Sequence, residues 1–152
     1  MGNRAVITTA TETNIEKCEE IGIYLHWNGD RSSVEAFLMY CKMHGYPAPE
    51  NDNSGWAKLC QVIANFFGGD DSVWIDKCCE LDCNNFDNGV YIIKDWQIFG
   101  RQYFTGEEQN DYDILEFLIE IDLSMPEKER LGEEKIKKLY RNYSEEDDIY
   151  CE

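Results

Sequence analysis

The sequence has 152 residues, and 31 acidic residues against 14 Lys and Arg give it a formal net charge of -17 at pH 7. Proteins that bind nucleic acid hold the phosphate backbone with clustered Lys and Arg, so this composition excludes an ordinary nucleic-acid-binding protein. Hydrophobic residues make up 43% of the chain and aromatic residues 13%, which is more than a disordered acidic chain carries. We therefore predict one folded domain with an acidic surface.

The first part of the chain predicts two strands and a helix. The β-branched and aromatic runs Arg4–Thr9 and Ile21–Trp27 are typical of strands, and we expect them to be neighbours. Ser32 and Glu35 have the spacing of a capping box, which predicts the start of a helix that ends at Gly45.

The middle of the chain predicts a second helix and three more strands. Apolar residues at helical spacing predict a helix over Trp56–Phe67 that is closed by Gly68, so the two helices form a hairpin inserted between strands. Strands follow at Ser72–Asp76, Gly89–Lys94 and Gln97–Gly100, and the last two form a hairpin.

Two helices are predicted in the C-terminal part. The first covers Glu107–Leu123, and the second starts with Ser124 as its cap and Pro126 in its first turn. This element order predicts an α+β fold with a mainly antiparallel sheet of about five strands, an inserted helix hairpin and two C-terminal helices. We expect a single domain over residues 1–143 and an acidic tail over 144–152.

Acidic residues are densest in the predicted helix over residues 107–123. A helix of this length is about 25 Å long, so its acids average roughly one charge per 3.6 Å, close to the roughly 3.4 Å between phosphates along one strand of B-DNA. The similarity predicts a nucleic-acid mimic that offers carboxylates to a basic protein surface. The candidate partner-binding residues are Asp113, Glu116, Glu120, Glu107, Glu108 and Asp111.

A local explanation competes with mimicry for part of this acidic segment. Apolar residues cover much of the circumference of the predicted helix, and only Asp113, Glu116 and Glu120 form a purely polar stripe. Glu107 and Glu108 fall in the first turn, where the helix dipole alone favours acids. An acidic structural or interaction domain without mimicry therefore remains an alternative.

The loop between the second strand and the first helix is the most enzyme-like feature. A free helix N-terminus, two hydroxyls and one Arg predict a possible anion site formed by Asn28, Gly29, Arg31, Ser32 and Ser33. The loop distantly resembles the Ser-Gly-Gly-x-Asp-Ser loop of the ATP pyrophosphatases of the PP-loop family, although only Gly29 and Ser33 match. The resemblance implies a nucleotide-binding enzyme as a second alternative, and a tight turn with a helix cap explains the same residues.

Other catalytic or metal-binding patterns are weak. Cys78, Cys79 and Cys83 lack the spacing of a zinc knuckle, and the oxygen-rich loop that follows lacks the EF-hand pattern. Neither His26 nor His44 has a nucleophilic partner at a recognisable spacing. We therefore expect no catalytic residue, no metal and no cofactor.

The seven cysteines indicate the cellular compartment of the protein, and the four tryptophans bear on its contacts with other proteins. An odd number of cysteines, some at apolar helix positions, favours reduced thiols in the cytoplasm, and no segment has the length and apolarity of a membrane span. Trp27, Trp56, Trp74 and Trp96, together with nine Tyr, exceed what one small core needs. Most should belong to the core, and a surplus at a protein interface is the alternative.

Three stretches resemble a known group of proteins. Ile23–Gly29, Ser33–Leu38 and Leu59–Gly69 are similar to an uncharacterised family of small acidic proteins found in phages and prophages of Gram-positive bacteria, and the resemblance covers roughly residues 4–123. In bulk character these proteins resemble anti-restriction and anti-CRISPR inhibitors. The resemblance implies a non-enzymatic anti-defence inhibitor in the host cytoplasm, which blocks the basic groove of a host nuclease. Its oligomeric state and its target stay open.

Overall fold

The computed structural model describes residues 2–11, 14–104, 106–108 and 112–150, with side chains described as far as Ser144. Five strands form one sheet: β1 (Ala5–Thr8), β2 (Ile21–Leu25), β3 (Val73–Lys77), β4 (Val90–Lys94) and β5 (Gln97–Gln102). Four α-helices accompany it: α1 (Arg31–Met43), α2 (Asn53–Phe66), α3 (Ile114–Ser124) and α4 (Glu133–Tyr150). The predicted α+β class, the inserted helix hairpin and the two C-terminal helices are confirmed. None of the described helices combines the length and apolarity needed to span a membrane.

The sheet has the strand order β3-β2-β1-β4-β5. Every neighbouring pair is antiparallel except β1 and β4, which are parallel, so the prediction of a mainly antiparallel sheet is confirmed. The parallel pair arises because the chain leaves β3 at one edge and crosses to the far side of β1 before it forms the β4–β5 hairpin. This crossing leaves β3 and β5 as the two edges.

Strand alternation places apolar residues on both faces of the sheet. Ile7 and Ile23 face each other across β1 and β2 and pack against the helices in the main core, together with Tyr91 of β4. Val6 and Val90 point to the other face, where Ile15, Cys18, Cys78 and Cys83 of the connecting segments cover them in a second buried cluster. Both faces are therefore buried in the centre of the sheet, and within the sheet the backbone groups open to other molecules lie at its edges.

Helix α1 begins differently from the predicted capping box. Asp30 is the N-cap, and its carboxylate accepts a hydrogen bond from the Ser33 backbone N–H at 3.0 Å. Ser32 lies inside the first turn, and Glu35 forms an ion pair with Arg31 at 2.8 Å. The capping-box prediction was wrong because Asp30 is better placed to cap, and Glu35 points along the helix to a basic partner.

The bounds of both C-terminal helices also differ from the prediction. Helix α3 starts at Ile114 with Asp113 as its N-cap, not at Glu107. Ser124 ends this helix instead of capping the next one, and a single 3-10 turn over Glu127–Glu129 follows. The Arg130 guanidinium donates to the carbonyl oxygens of Leu123 and Met125, at 3.0 and 2.9 Å, and so closes α3.

The last helix starts later than predicted and is the longest of the four described α-helices. Gly132, with a φ of 93°, precedes the first residue of α4 and takes a backbone conformation that other residues rarely adopt. The backbone of α4 then continues through Ser144 to Tyr150. The change to acidic composition at residue 144, which suggested a tail, therefore falls within a helix.

Candidate functional site

Within the predicted acidic surface, the exposed carboxylates of α3 are the part that agrees best with the prediction. Glu116 and Glu120 are exposed and lie one helical turn apart, about 6 Å along the axis. The opposite side of the helix buries Phe117 and Leu118 against the core, which fixes the orientation of the helix. None of the ion pairs among the described residues includes Glu116 or Glu120. Their negative charge therefore faces solvent without an ion-pair partner among the described residues.

Asp113 stands at the end of this stripe with a structural role as well. Its carboxylate is exposed and accepts a hydrogen bond from the Glu116 backbone N–H at 3.1 Å, so it caps α3 while it extends the stripe. We define the α3 carboxylate stripe as Asp113, Glu116 and Glu120. The side chains predicted to form the purely polar stripe are thus brought together on one exposed face.

The remaining predicted acids do not extend this stripe along one helix. Glu107 and Glu108 are exposed but precede α3, and Asp111 lies outside the described residues. Glu108 forms an ion pair with Arg101, which neutralises much of its charge. The prediction of a continuous row of carboxylates on a 25 Å helix was therefore wrong. A role for Glu107, Glu108 and Asp111 in binding a partner stays a prediction.

Arg101 holds Glu108 in a fixed position on the domain. Its guanidinium lies over the rings of Tyr91 and Phe104, 4.3 and 3.6 Å from their centroids, and donates to the Asn88 carbonyl oxygen at 2.9 Å. Since stacking and this hydrogen bond hold the guanidinium in place, its ion pair anchors the Glu108 side chain beside β5.

Asp122, another acid of the predicted row, is buried and serves the fold. Its side chain is 4% exposed and accepts hydrogen bonds from the Tyr40 hydroxyl at 2.5 Å and from the backbone N–H groups of Leu131 and Gly132 at 2.8 and 3.0 Å. The carboxylate thereby joins α1, α3 and the segment that enters α4. Burial and the hydrogen bond with Asp122 raise the pKa of Tyr40, and burial lowers the pKa of the neighbouring His44.

The predicted anion loop is occupied by a carboxylate of the chain itself. Asp30 is fully buried at the N-terminus of α1 and accepts hydrogen bonds from both hydroxyls of the loop, Ser32 at 2.7 Å and Ser33 at 2.9 Å. It also accepts one from the Asn3 side-chain amide at 3.0 Å. The groups that would bind a phosphate are thus already bonded to a negative charge, and an incoming anion would be repelled.

The rest of this loop is explained by packing on β1. A Cβ atom at Gly29 would lie 2.5 Å from the Asn3 carbonyl oxygen, so only glycine fits there. Asn28 has a positive φ of 56°, and the Arg31 guanidinium is paired with Glu35. These residues therefore form a tight turn and a cap. Anion or nucleotide binding by the loop stays a prediction that the geometry does not favour.

Replacement of Asp30 should show this structural role directly. We expect Asp30→Ala to lower the free energy of unfolding by about 2 kcal/mol, because it removes a buried acceptor from several donors. Asp52→Ala is the matched control, since Asp52 caps α2 through an exposed bond to the Ser54 N–H and should cost about 1 kcal/mol. Urea denaturation measures the free energy of unfolding of both variants. A melting temperature of the parent protein that rises with ATP and Mg²⁺ would instead favour the nucleotide-binding alternative.

Most of the described cysteines are buried thiols, and Cys60 and Cys79 are partly exposed. The described ones, Cys18, Cys41, Cys60, Cys78, Cys79 and Cys83, are free. Burial raises the pKa of Cys41 and of Cys78, and raises the pKa of Cys83 to about 12. Over the part of the chain that the structure describes, no three His, Cys, Asp or Glu side chains are arranged to hold a metal ion.

Thiol titration should separate the buried cysteines from disulfides. Denatured, unreduced protein should titrate close to the seven thiols of the sequence. In the native protein, Cys41, Cys78 and Cys83 should react slowly, because the thiolate is the reactive form and their raised pKa values keep it scarce at neutral pH. Each disulfide would remove two thiols from the denatured count, and a low count would contradict the reduced state.

An exposed aromatic corner was only partly anticipated by the aromatic content. Trp56 and Trp96 belong to the core, whereas Trp27 and Trp74 are 45% and 50% exposed. The ring of Trp74 lies edge-on to Tyr24 at 5.1 Å. The sequence alternation of β3 contained no signal for this exposure, because it depends on which strand forms the edge of the sheet.

The described chain thus offers two kinds of surface for contact with another molecule. One is the α3 carboxylate stripe, and the other is the apolar edge of the sheet around Trp74. Comparisons with protein-family models, with curated proteins and with solved structures found no match to this chain.

Proposed function

We propose that the protein is a non-enzymatic acidic binding protein whose α3 carboxylate stripe occupies a basic nucleic-acid-binding groove of another protein. The observation that carries the proposal is the pair of exposed carboxylates, Glu116 and Glu120, on a helix whose other side is fixed in the core. None of the ion pairs in the described part of the chain neutralises them. A cationic groove supplies the partners that they lack.

Long-range electrostatics supports the same proposal. The net charge of -17 surrounds the stripe with a negative field that attracts a basic surface before contact. Lys and Arg side chains that have bound phosphates can bind carboxylates with similar charge-assisted hydrogen bonds. The stripe supplies local contacts, and the rest of the charge accelerates the encounter.

The class of partner follows from the resemblance to phage and prophage proteins. A protein of this size, charge and resemblance is suited to an anti-defence role, in which it blocks a nuclease of the host cytoplasm. Nucleases of this kind expose basic grooves to their substrates, and an acidic inhibitor competes with nucleic acid for the groove. The partner-binding residues of this proposal are Asp113, Glu116 and Glu120, with Glu107 as their neighbour in the acidic segment.

Competition with nucleic acid tests the proposal. The immobilised protein is incubated with host lysate at low salt, and bound proteins are eluted with duplex DNA in one arm and with NaCl in another. We expect a nucleic-acid-binding protein, identified by mass spectrometry, to be released in both arms because DNA competes for its groove and salt screens the charges. Partners that resist both elutions would contradict mimicry and would favour an acidic interaction domain of another kind.

A further inference from the structure

Strand β3 forms an edge of the sheet, and its outer side is open. The hydrogen bond from the His26 N–H to the Ser72 carbonyl oxygen, at 2.9 Å, shows which residues of this antiparallel pair exchange hydrogen bonds. Along an antiparallel pair of strands, residues that exchange backbone hydrogen bonds alternate with residues that do not. Trp74 and Asp76, two and four residues after Ser72, therefore direct their backbone groups toward β2. The N–H and C=O groups of the residues between them therefore point away from the sheet.

The outward-pointing residues are Val73, Ile75 and Lys77. The Lys77 N–H donates to the Asp76 side chain, which is an exposed local contact. Within the described residues, no backbone hydrogen bond from another segment reaches Val73 or Ile75. The register between β2 and β3 is regular, whereas the other edge strand, β5, joins the sheet with an irregular register near Ile93.

The open edge also carries exposed apolar side chains. Trp74 is 50% exposed on one face of the sheet, and Ile75 is 53% exposed on the other. Ile21 of β2 is 43% exposed and lies on the same face as Ile75. Natural edge strands avoid this combination of free backbone groups and apolar side chains, because it promotes pairing with another strand. The combination indicates a surface that is covered by another strand.

We propose that β3 pairs antiparallel with β3 of a second copy of this chain, in a register centred on Ile75. This register sets Ile75 opposite Ile75 and Val73 opposite Lys77, so every outward-pointing residue meets another outward-pointing residue. The pairing would form about six backbone hydrogen bonds across a two-fold axis, with the two Lys77 N–H groups exchanging their Asp76 side-chain acceptors for the second copy. The sheet would then continue through two molecules.

The charge of β3 itself does not oppose a second copy at this edge. The five residues of β3 include one acid, Asp76, and one base, Lys77, so the strand itself is neutral. Two chains of net charge -17 repel each other as whole molecules, and a neutral strand gives the least local repulsion at the contact. Salt screens the remaining repulsion, so the dimer should become tighter as NaCl rises. Binding of the acidic stripe to a basic partner should instead weaken as NaCl rises. The two salt dependences are opposite, so failure of the dimer proposal and failure of the proposed function can be told apart.

Sedimentation equilibrium of the full chain tests the proposal. We expect the mass to approach that of a dimer as concentration and NaCl rise. Ile75→Lys should weaken dimerisation at least tenfold, because it places two like charges opposite each other at the centre of the contact. Phe99→Lys is the matched control, since Phe99 is an exposed apolar residue of the other edge strand, and this variant should dimerise like the parent.

Amide hydrogen exchange supplies a readout that does not depend on a variant. The N–H groups of Val73 and Ile75 should exchange quickly at low salt and low concentration, and become protected at high salt and high concentration. A parent protein that stays monomeric under all conditions would overturn the proposal. So would a dimer in which these two amides exchange freely, or one that Phe99→Lys disrupts as strongly as Ile75→Lys does.

Discussion

Replacement of Glu116 and Glu120 by Lys is expected to slow association with the basic partner at least about tenfold at low salt. Both carboxylates are exposed and outside the described ion pairs, so the change reverses free charges without breaking a contact of the fold. Stopped-flow or surface-based kinetics with the partner identified by DNA elution measures the on-rate. Circular dichroism verifies that the double variant is folded.

A matched control separates local contact from net charge. Glu19 and Glu20 are exposed acids at the other end of the chain, and Glu19→Lys with Glu20→Lys changes the net charge by the same amount. If the stripe binds the groove, the control slows association much less than the α3 variant. Equal slowing by both variants would show that only the overall field matters, and an unchanged on-rate for a folded α3 variant would refute the mimicry proposal for this helix.

Asp113 needs a different substitution because it caps α3. Asp113→Asn keeps a side-chain oxygen that accepts the hydrogen bond from the Glu116 N–H, and it removes the negative charge. The variant therefore tests the charge of the stripe while it spares the helix. Its effect on the on-rate should be smaller than that of the double Lys variant, since it removes one charge and reverses none.

Replacement of Asp122 by Ala is expected to lower the free energy of unfolding by about 3 kcal/mol. The carboxylate accepts hydrogen bonds from the buried Tyr40 hydroxyl and from the partly buried N–H groups of Leu131 and Gly132, and Ala would leave these donors without their acceptor. For a chain of this length, such a loss corresponds to a decrease of roughly 10 °C in melting temperature. Urea denaturation and calorimetry measure it.

Two further variants show whether the loss belongs to this hydrogen-bond network. Tyr40→Phe removes one of the three donors and should cost about 1 kcal/mol. Glu120→Ala, two residues from Asp122 on the exposed face of α3, should change stability by less than about 0.5 kcal/mol. A small effect of Asp122→Ala, comparable with that of Glu120→Ala, would contradict the structural role of the buried carboxylate.

Glu120 and Asp122 show why the sequence alone could not define the acidic surface. Both belong to the same acidic segment and the same helix, so composition treats them alike. Asp122 is buried because Tyr40 and the segment before α4 converge on it from distant parts of the chain. Glu108 is neutralised by Arg101 for a similar reason. Burial and pairing of an acid depend on neighbours that no local pattern reveals.

Helix boundaries were less predictable than the elements themselves. Asp30 caps α1 instead of the predicted capping box of Ser32 and Glu35, because Asp30 is buried at the helix N-terminus and also bonds to Asn3. The acids before Asp113 are equally compatible with the first turn of a helix and with the segment that precedes it. Local pattern therefore locates a helix well, and the choice among competing caps depends on what packs at its end.

The α+β class, the five strands and the helix hairpin could be predicted from sequence, because strands and helices leave local patterns of apolar residues. Three features needed the folded chain: β1 lies parallel to β4, β3 is an open edge, and Trp74 is exposed while Trp96 is buried. The fold also determines which of the described carboxylates face solvent outside an ion pair. These features depend on which distant segments meet, and hydrophobic burial selects that arrangement for the whole chain at once.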